Sequence, residues 1–99
     1  MTGSPLAAVP PALVPLLGEL LDALRQSLAD ARDALTRSDA QAVQESSHAL
    51  KGAAMRFGLP ALADAAAHAE EAASRGDLDT AGIFLGEFEK ALDEITALV

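Results

Sequence analysis

Between Val14 and Thr36, apolar residues recur at Leu17, Leu20, Leu24, Leu28, Ala31 and Leu35, the three-and-four spacing that gathers side chains on one helical stripe. A helix is therefore predicted over 14–36, with Pro15 in a first turn whose N–H groups have no intrahelical partner. A second helix is predicted from a Ser38 or Asp39 cap to about Phe57, where Gly58 stops it and Pro60 follows. Pro60 opens a third helix that runs to Arg75 and ends at Gly76. Asp77 then caps a fourth, whose apolar positions are Leu78, Ala81, Leu85, Phe88, Leu92, Ile95 and Val99.

Four amphipathic helices joined by connections of a few residues pack most simply with each antiparallel to the next. The expected fold is all-α, an up-and-down antiparallel four-helix bundle over 13–99. Residues 1–12, rich in proline, form a short lead-in or covering segment. Val14, Leu16 and Leu21 widen the apolar stripe of the first helix, which implies either that covering segment or a self-association surface.

Composition narrows the picture. A chain of 99 residues holds one core and has no room for an ATP-driven kinase. Hydrophobic residues make up 51% of it but aromatic ones only 3%, so the helix interfaces must be filled by Leu and Ala. The net charge of −8 opposes binding to nucleic acid or anionic membrane and points to a protein partner. Without cysteine there is neither disulfide nor thiolate chemistry, which agrees with a cytoplasmic setting. Met1 to Pro15 has no basic stretch and carries Pro5, Pro10, Pro11 and Pro15, unlike a secretory signal. No apolar run approaches the ~20 residues that span a bilayer.

The candidate chemistry lies on the second helix. With His48 taken as the origin and ~100° added per residue, Val43, Ser46, Leu50, Ala53, Ala54 and Phe57 gather on the opposite side. They form the expected buried stripe. Gln41, Gln44, Glu45, Lys51, Gly52 and Met55 share the side of His48, so the imidazole is expected to face solvent. A neutral imidazole offers a nucleophilic nitrogen near physiological pH, and the P–N bond that it forms is labile enough to be broken again. Lys51, one turn on, can offset phosphoryl charge. Gly52 removes a side chain beside the ring, although inside a helix it costs about 1 kcal/mol relative to Ala.

The run His48-Ala49-Leu50-Lys51-Gly52, with Gly58 ten residues after the histidine, resembles the histidine-phosphotransfer (HPt) family, whose motif is H-x-L-K-G with a later glycine. Gly58-Leu59, Leu62, Ala69-Glu70 and Gly76-Asp77 extend the resemblance over Asp39 to Asp77. It implies a four-helix bundle that carries a phosphoryl group on an exposed ring nitrogen of His48. It also implies exchange of that group with an aspartate of a response-regulator receiver domain, in a relay fed by a sensor or hybrid histidine kinase.

By the same resemblance Glu70 orients the imidazole by accepting from Nδ1–H; Gln41, Gln44, Glu45 and Met55, on the outer face with His48, are expected to supply the docking face. Ala69 stands where many members have a larger residue, so the third helix is expected to pack closer here. The chain is expected to act without ATP-binding or kinase activity, to bind no cofactor, to use Mg²⁺ held by the receiver, and to be a monomer.

Two rival readings stand beside this one. Glu45-Ser46-Ser47-His48 has the Glu-x-x-His spacing of four-helix di-iron proteins. Such a site needs a second pair, and His68 has Ala65 three residues before it. The other rival is a helical bundle that binds and regulates a partner without being phosphorylated. His68, on the third helix with Asp64, Glu71 and Arg75, is expected to be an ordinary solvated residue.

Overall fold

A computed structural model describes residues 6–99. Four α-helices, α1 (Leu17–Thr36), α2 (Ala40–Arg56), α3 (Pro60–Ser74) and α4 (Leu78–Thr96), follow a short 3-10 helix over Pro11–Leu16. Each α-helix packs against the next, and α4 returns against α1 to close the ring. Two ion pairs show the α1–α4 register: Arg25 reaches Asp93 at 2.9 Å and Arg32 reaches Glu89 at 2.6 Å. Moving up α1 therefore means moving down α4. The chain is an all-α, up-and-down four-helix bundle.

Backbone chemistry sets the helix ends close to where the sequence puts them. Asp39 caps α2 by accepting from the Ala42 N–H at 3.0 Å. Ser38 instead closes α1, with a left-handed φ of 54°. Asp77 caps α4 through the Thr80 N–H and hydroxyl, and its carboxyl is held below the usual range, first by that hydroxyl and then by the backbone bond. Gly58 and Gly76 take φ of 68° and 76°, a conformation that side chains other than glycine rarely adopt.

The first helix differs from expectation. Its α-helical part begins at Leu17, and Pro11–Leu16 winds as a 3-10 helix containing Pro15. Pro15 has no N–H to donate, and its ring disfavours α geometry at Val14. The tighter turn is what remains, and the Leu17 N–H bonds the Val14 carbonyl.

Leu17, Leu20, Leu21, Leu24 and Leu28 of α1 interlock with Leu50, Leu62, Leu85, Phe88, Leu92 and Ile95 in one core. Of the residues that widened the stripe, Leu21 is buried, while Val14 and Leu16 stay exposed on the 3-10 turn. Helix α3 has a different inner face, since Ala65, Ala66, Ala69, Ala72 and Ala73 are all buried beside Leu62. Short side chains admit close approach, and α2 with α3 is the most intimate helix pair of the bundle.

Of the lead-in 1–12, residues 1–5 lie outside the described residues. The remainder crosses the end of the bundle with Val9 buried and with Leu6 and Leu13 packed at the edge of the core. Ala8 lies so close to Gly58 that a Cβ at Gly58 would collide with its carbonyl. Among the described residues no helix is long and apolar enough to cross a membrane.

Candidate functional site

Helix α2 buries Val43, Ser47, Leu50 and Ala54, a 4-3-4 spacing. Ser47, expected outside the stripe, is fully buried, whereas Ser46, Ala53 and Phe57 are only half-buried. The buried stripe is thus turned by about 50° from the direction opposite His48. It turns toward the side that carries Gln44 and Lys51, because α3 lies there. His48 remains exposed, with 68% of its side chain accessible, while Lys51 keeps only 29%.

That rotation brings Glu70 of α3 under the imidazole. Glu70 Oε2 lies 2.7 Å from His48 Nδ1 and Oε1 lies 2.7 Å from Lys51 Nζ, with 19% of the Glu70 side chain accessible. One carboxylate therefore holds both groups. Its pKa is lowered below the ordinary 4.5, first by the Lys51 hydrogen bond, against the opposing effect of burial, and further by the bond to His48. An ionised carboxylate can only accept, so the Nδ1 that it holds is the protonated nitrogen. In the neutral ring the lone pair then sits on Nε2, on the exposed side.

Gly52 lies beside His48, and a Cβ built there would meet nothing within 4 Å. Packing within the chain therefore gives no reason for a glycine at this helical position. Gln41, Glu45 and Met55 are exposed, Met55 to 64%. Gln44 is half-buried and joins Lys51, Ala67, Glu70, Glu71 and Ser74 around an open groove of about 340 Å³ between α2 and α3. The α3 side of this groove, at Ala67, Glu71 and Ser74, adds residues that the motif on α2 does not reach. Its signal in the sequence is the spacing of three, four and seven residues from Ala67 to Glu70, Glu71 and Ser74 on the same helix.

His68 is exposed, as expected of a solvated residue, but it is not without neighbours. Its ring stacks on Phe84 of α4 with centroids 4.7 Å apart and 20° between planes, and its Nδ1 lies 2.7 Å from the Asp64 carbonyl oxygen. His48 and His68 are on different sides of α3 and share no partner. Among the described residues no group of three or more His, Asp or Glu side chains is placed to hold a metal ion.

The ring-bearing helix, the carboxylate on the next helix and the small residue beside the ring occupy the positions of the H-x-L-K-G motif and its later acidic residue. Comparison with known families agrees: the Hpt domain model matches residues 15–98. No curated protein and no solved structure matches the chain. Since the match spans all four α-helices, the chain belongs to the Hpt domain family, whose members are phosphotransfer carriers of phosphorelays and not kinases.

Proposed function

We propose that this chain carries a phosphoryl group on Nε2 of His48 and exchanges it with the aspartate of a response-regulator receiver domain. The supporting observation is the exposed imidazole whose Nδ1 is held at 2.7 Å by a carboxylate that Lys51 also holds.

In the loading direction the Nε2 lone pair attacks phosphorus in line, the P–O bond to the receiver aspartate breaks, and its electron pair returns to the aspartate as carboxylate. The ring keeps its Nδ1 proton and becomes formally cationic. Glu70 faces that developing charge, so it acts by positioning and by charge. Lys51 keeps Glu70 ionised and adds a positive charge one turn from the phosphoryl oxygens. The empty volume at Gly52 lets the receiver's loops approach the ring. Unloading is the same path reversed. Mg²⁺ belongs to the receiver in this scheme: the receiver's own carboxylates would hold it, the ion would offset the negative charge of the transferring group, and a sensor or hybrid kinase supplies the relay.

The test is incubation with a phosphorylated receiver domain and Mg²⁺, comparing wild type with His48→Gln for acid-labile, base-stable phosphate. Label on the wild type and none on the variant is the expected result. Absence of label from a panel of receivers and kinases would turn the assignment to a bundle that binds without being phosphorylated.

A further inference from the structure

Among the described residues Ser47 is the one polar side chain that the core buries completely. Its hydroxyl has no hydrogen-bond partner among them, a condition it shares with Nε of Arg32, whose guanidinium is otherwise held by Glu89. Leaving a buried hydroxyl unpaired costs about 1–3 kcal/mol. A serine inside a helix commonly avoids that cost by bonding the carbonyl four residues back; here that carbonyl belongs to Val43, and Ser47 does not use it. Alanine would avoid the cost altogether, and alanine is what fills the buried face of α3, the helix packed most intimately on α2. Packing therefore supplies no reason for a serine at this position.

The surroundings of Ser47 supply one. Gln44 and Lys51, which line the groove between α2 and α3, stand three residues before it and four after it, so Ser47 lies on the stripe that joins them. Around the axis of α2, Lys51 is about 60° from His48 and Ser47 about 100° in the same sense, toward α3. Ser47 is thus inward of the two side chains that hold Glu70.

Those two bonds differ in what loading does to them. Glu70 keeps 19% of its side chain accessible and takes one donor on each oxygen, His48 Nδ1 at 2.7 Å and Lys51 Nζ at 2.7 Å. The Nδ1 bond survives loading, because the phosphoryl group goes to Nε2. The Lys51 bond meets competition, since a phosphoryl group brings a charge of about −1.5 to −2 within a turn of the ammonium. When Lys51 turns to it, the carboxylate oxygen left behind sits where little water reaches, just when the cationic ring needs an ionised Glu70 behind it. A donor with no bond to give up suits that exchange. One staggered step of ~120° about χ1 redirects the Ser47 hydroxyl without moving the backbone.

We infer that Ser47 is a positioning residue for phosphotransfer, whose hydroxyl donates to Glu70 when Lys51 turns from Glu70 to the phosphoryl group. This rests on the phosphotransfer reading. Ser47 touches neither the phosphorus nor the nitrogen that carries it, and acts only through Glu70. The unpaired hydroxyl of the resting chain is a donor held in reserve, and loading relieves its cost.

The experiment follows Ser47→Ala in the full chain, with Ser46→Ala as the neighbouring, half-buried control. Without phosphate, Ser47→Ala should unfold at the same urea concentration as the wild type or a higher one, since only an unpaired hydroxyl is lost. Its transfer from a phosphorylated receiver, used below saturation, should nevertheless be roughly tenfold slower, while Ser46→Ala stays within about twofold. In a Glu70→Ala background, adding Ser47→Ala should change the rate by less than about twofold, because the carboxylate through which it acts is gone. Transfer by Ser47→Ala within about twofold of wild type would overturn the role, as would an equal slowing with and without Glu70; both leave the His48 assignment intact. A lower urea midpoint for Ser47→Ala would show that the hydroxyl already has a partner in the resting chain, and would overturn it too. If the wild type and His48→Gln take label alike, the phosphotransfer reading itself fails.

Discussion

The two histidines of this chain share one feature and differ in everything around it. Nδ1 of each is tied to an oxygen at 2.7 Å, a Glu70 carboxylate for His48 and the Asp64 carbonyl for His68. Both acceptors fix the same tautomer, so both rings direct a lone pair from Nε2. Under the proposed function, then, tautomer alone does not distinguish the phosphoryl carrier from the other histidine. His48 has a full negative charge behind it and a lysine one turn away, and its ring stands free. His68 has a neutral carbonyl behind it, and Phe84 stacked on one of its faces. A nearby charge that can answer a charge developing on the ring is what separates the two.

The strongest way to break this comparison is to remove each ring in turn. His48→Gln should bring acid-labile label from a phosphorylated receiver to background, whereas His68→Gln should retain it within twofold of wild type. Label lost from both variants would show that the stacked ring also takes part.

Next in size is the carboxylate. A charge-assisted hydrogen bond of about 1.5–3 kcal/mol corresponds to roughly a ten- to hundredfold change in rate if it acts in the transition state. Glu70→Ala should therefore slow transfer by about that factor, and ¹⁵N shifts of His48 should reveal a mixture of tautomers. An unchanged rate would reduce Glu70 to a packing residue.

Lys51→Met sharpens the electrostatic half of the contrast. The Glu70 pKa, now below 4.5, should rise when its first cause is removed, and carboxyl NMR titration reads the shift directly. The sign follows from linkage. A carboxyl depressed in the folded state contributes stability above its unfolded pKa, and this is lost as pH falls through the folded pKa. The wild type should thus resist acid further below pH 4.5 than Lys51→Met does.

The smallest effects concern stability. His68→Ala gives up a stacked aromatic pair worth about 0.5–1.5 kcal/mol, seen as a lower Tm with transfer unaffected. Gly52→Ala should do the opposite. It should stabilise the chain by about 0.5–1 kcal/mol, since nothing lies within 4 Å of the added Cβ, while slowing transfer from the receiver. A faster or unchanged transfer rate would remove steric access as the reason for the glycine.

The sequence made some of this legible and left the rest out for physical reasons. Asp39, Gly58, Gly76 and Asp77 mark helix ends through their own backbone and capping chemistry, so these boundaries need no knowledge of the tertiary structure. The outward position of His48 follows from angular counting along one helix. The same counting misplaced Ser46 and Ser47, because a single helix does not say on which side its neighbour lies. The approach of Glu70 to His48 likewise joins two helices, and spacing within either one cannot supply it; the family resemblance suggested it. His68 against Phe84 had no such pointer. Pro10, Pro11 and Pro15 carry no period, so neither the 3-10 turn nor the burial of Val9 could be read from the N-terminal segment.

The alanine face of α3 has a consequence for how the site responds to heat. Ala65, Ala66, Ala69, Ala72 and Ala73 have no side-chain torsion to freeze, so packing this face against its neighbours costs no rotamer entropy and leaves no alternative rotamers to populate. The spacing of the α2 and α3 backbones that carry His48 and Glu70 is then set with little slack between them. Warming should not loosen the site gradually. The exchange of α2 and α3 amides should follow global unfolding, so the helix spacing beneath the His48–Glu70 contact should hold until the bundle melts as a whole.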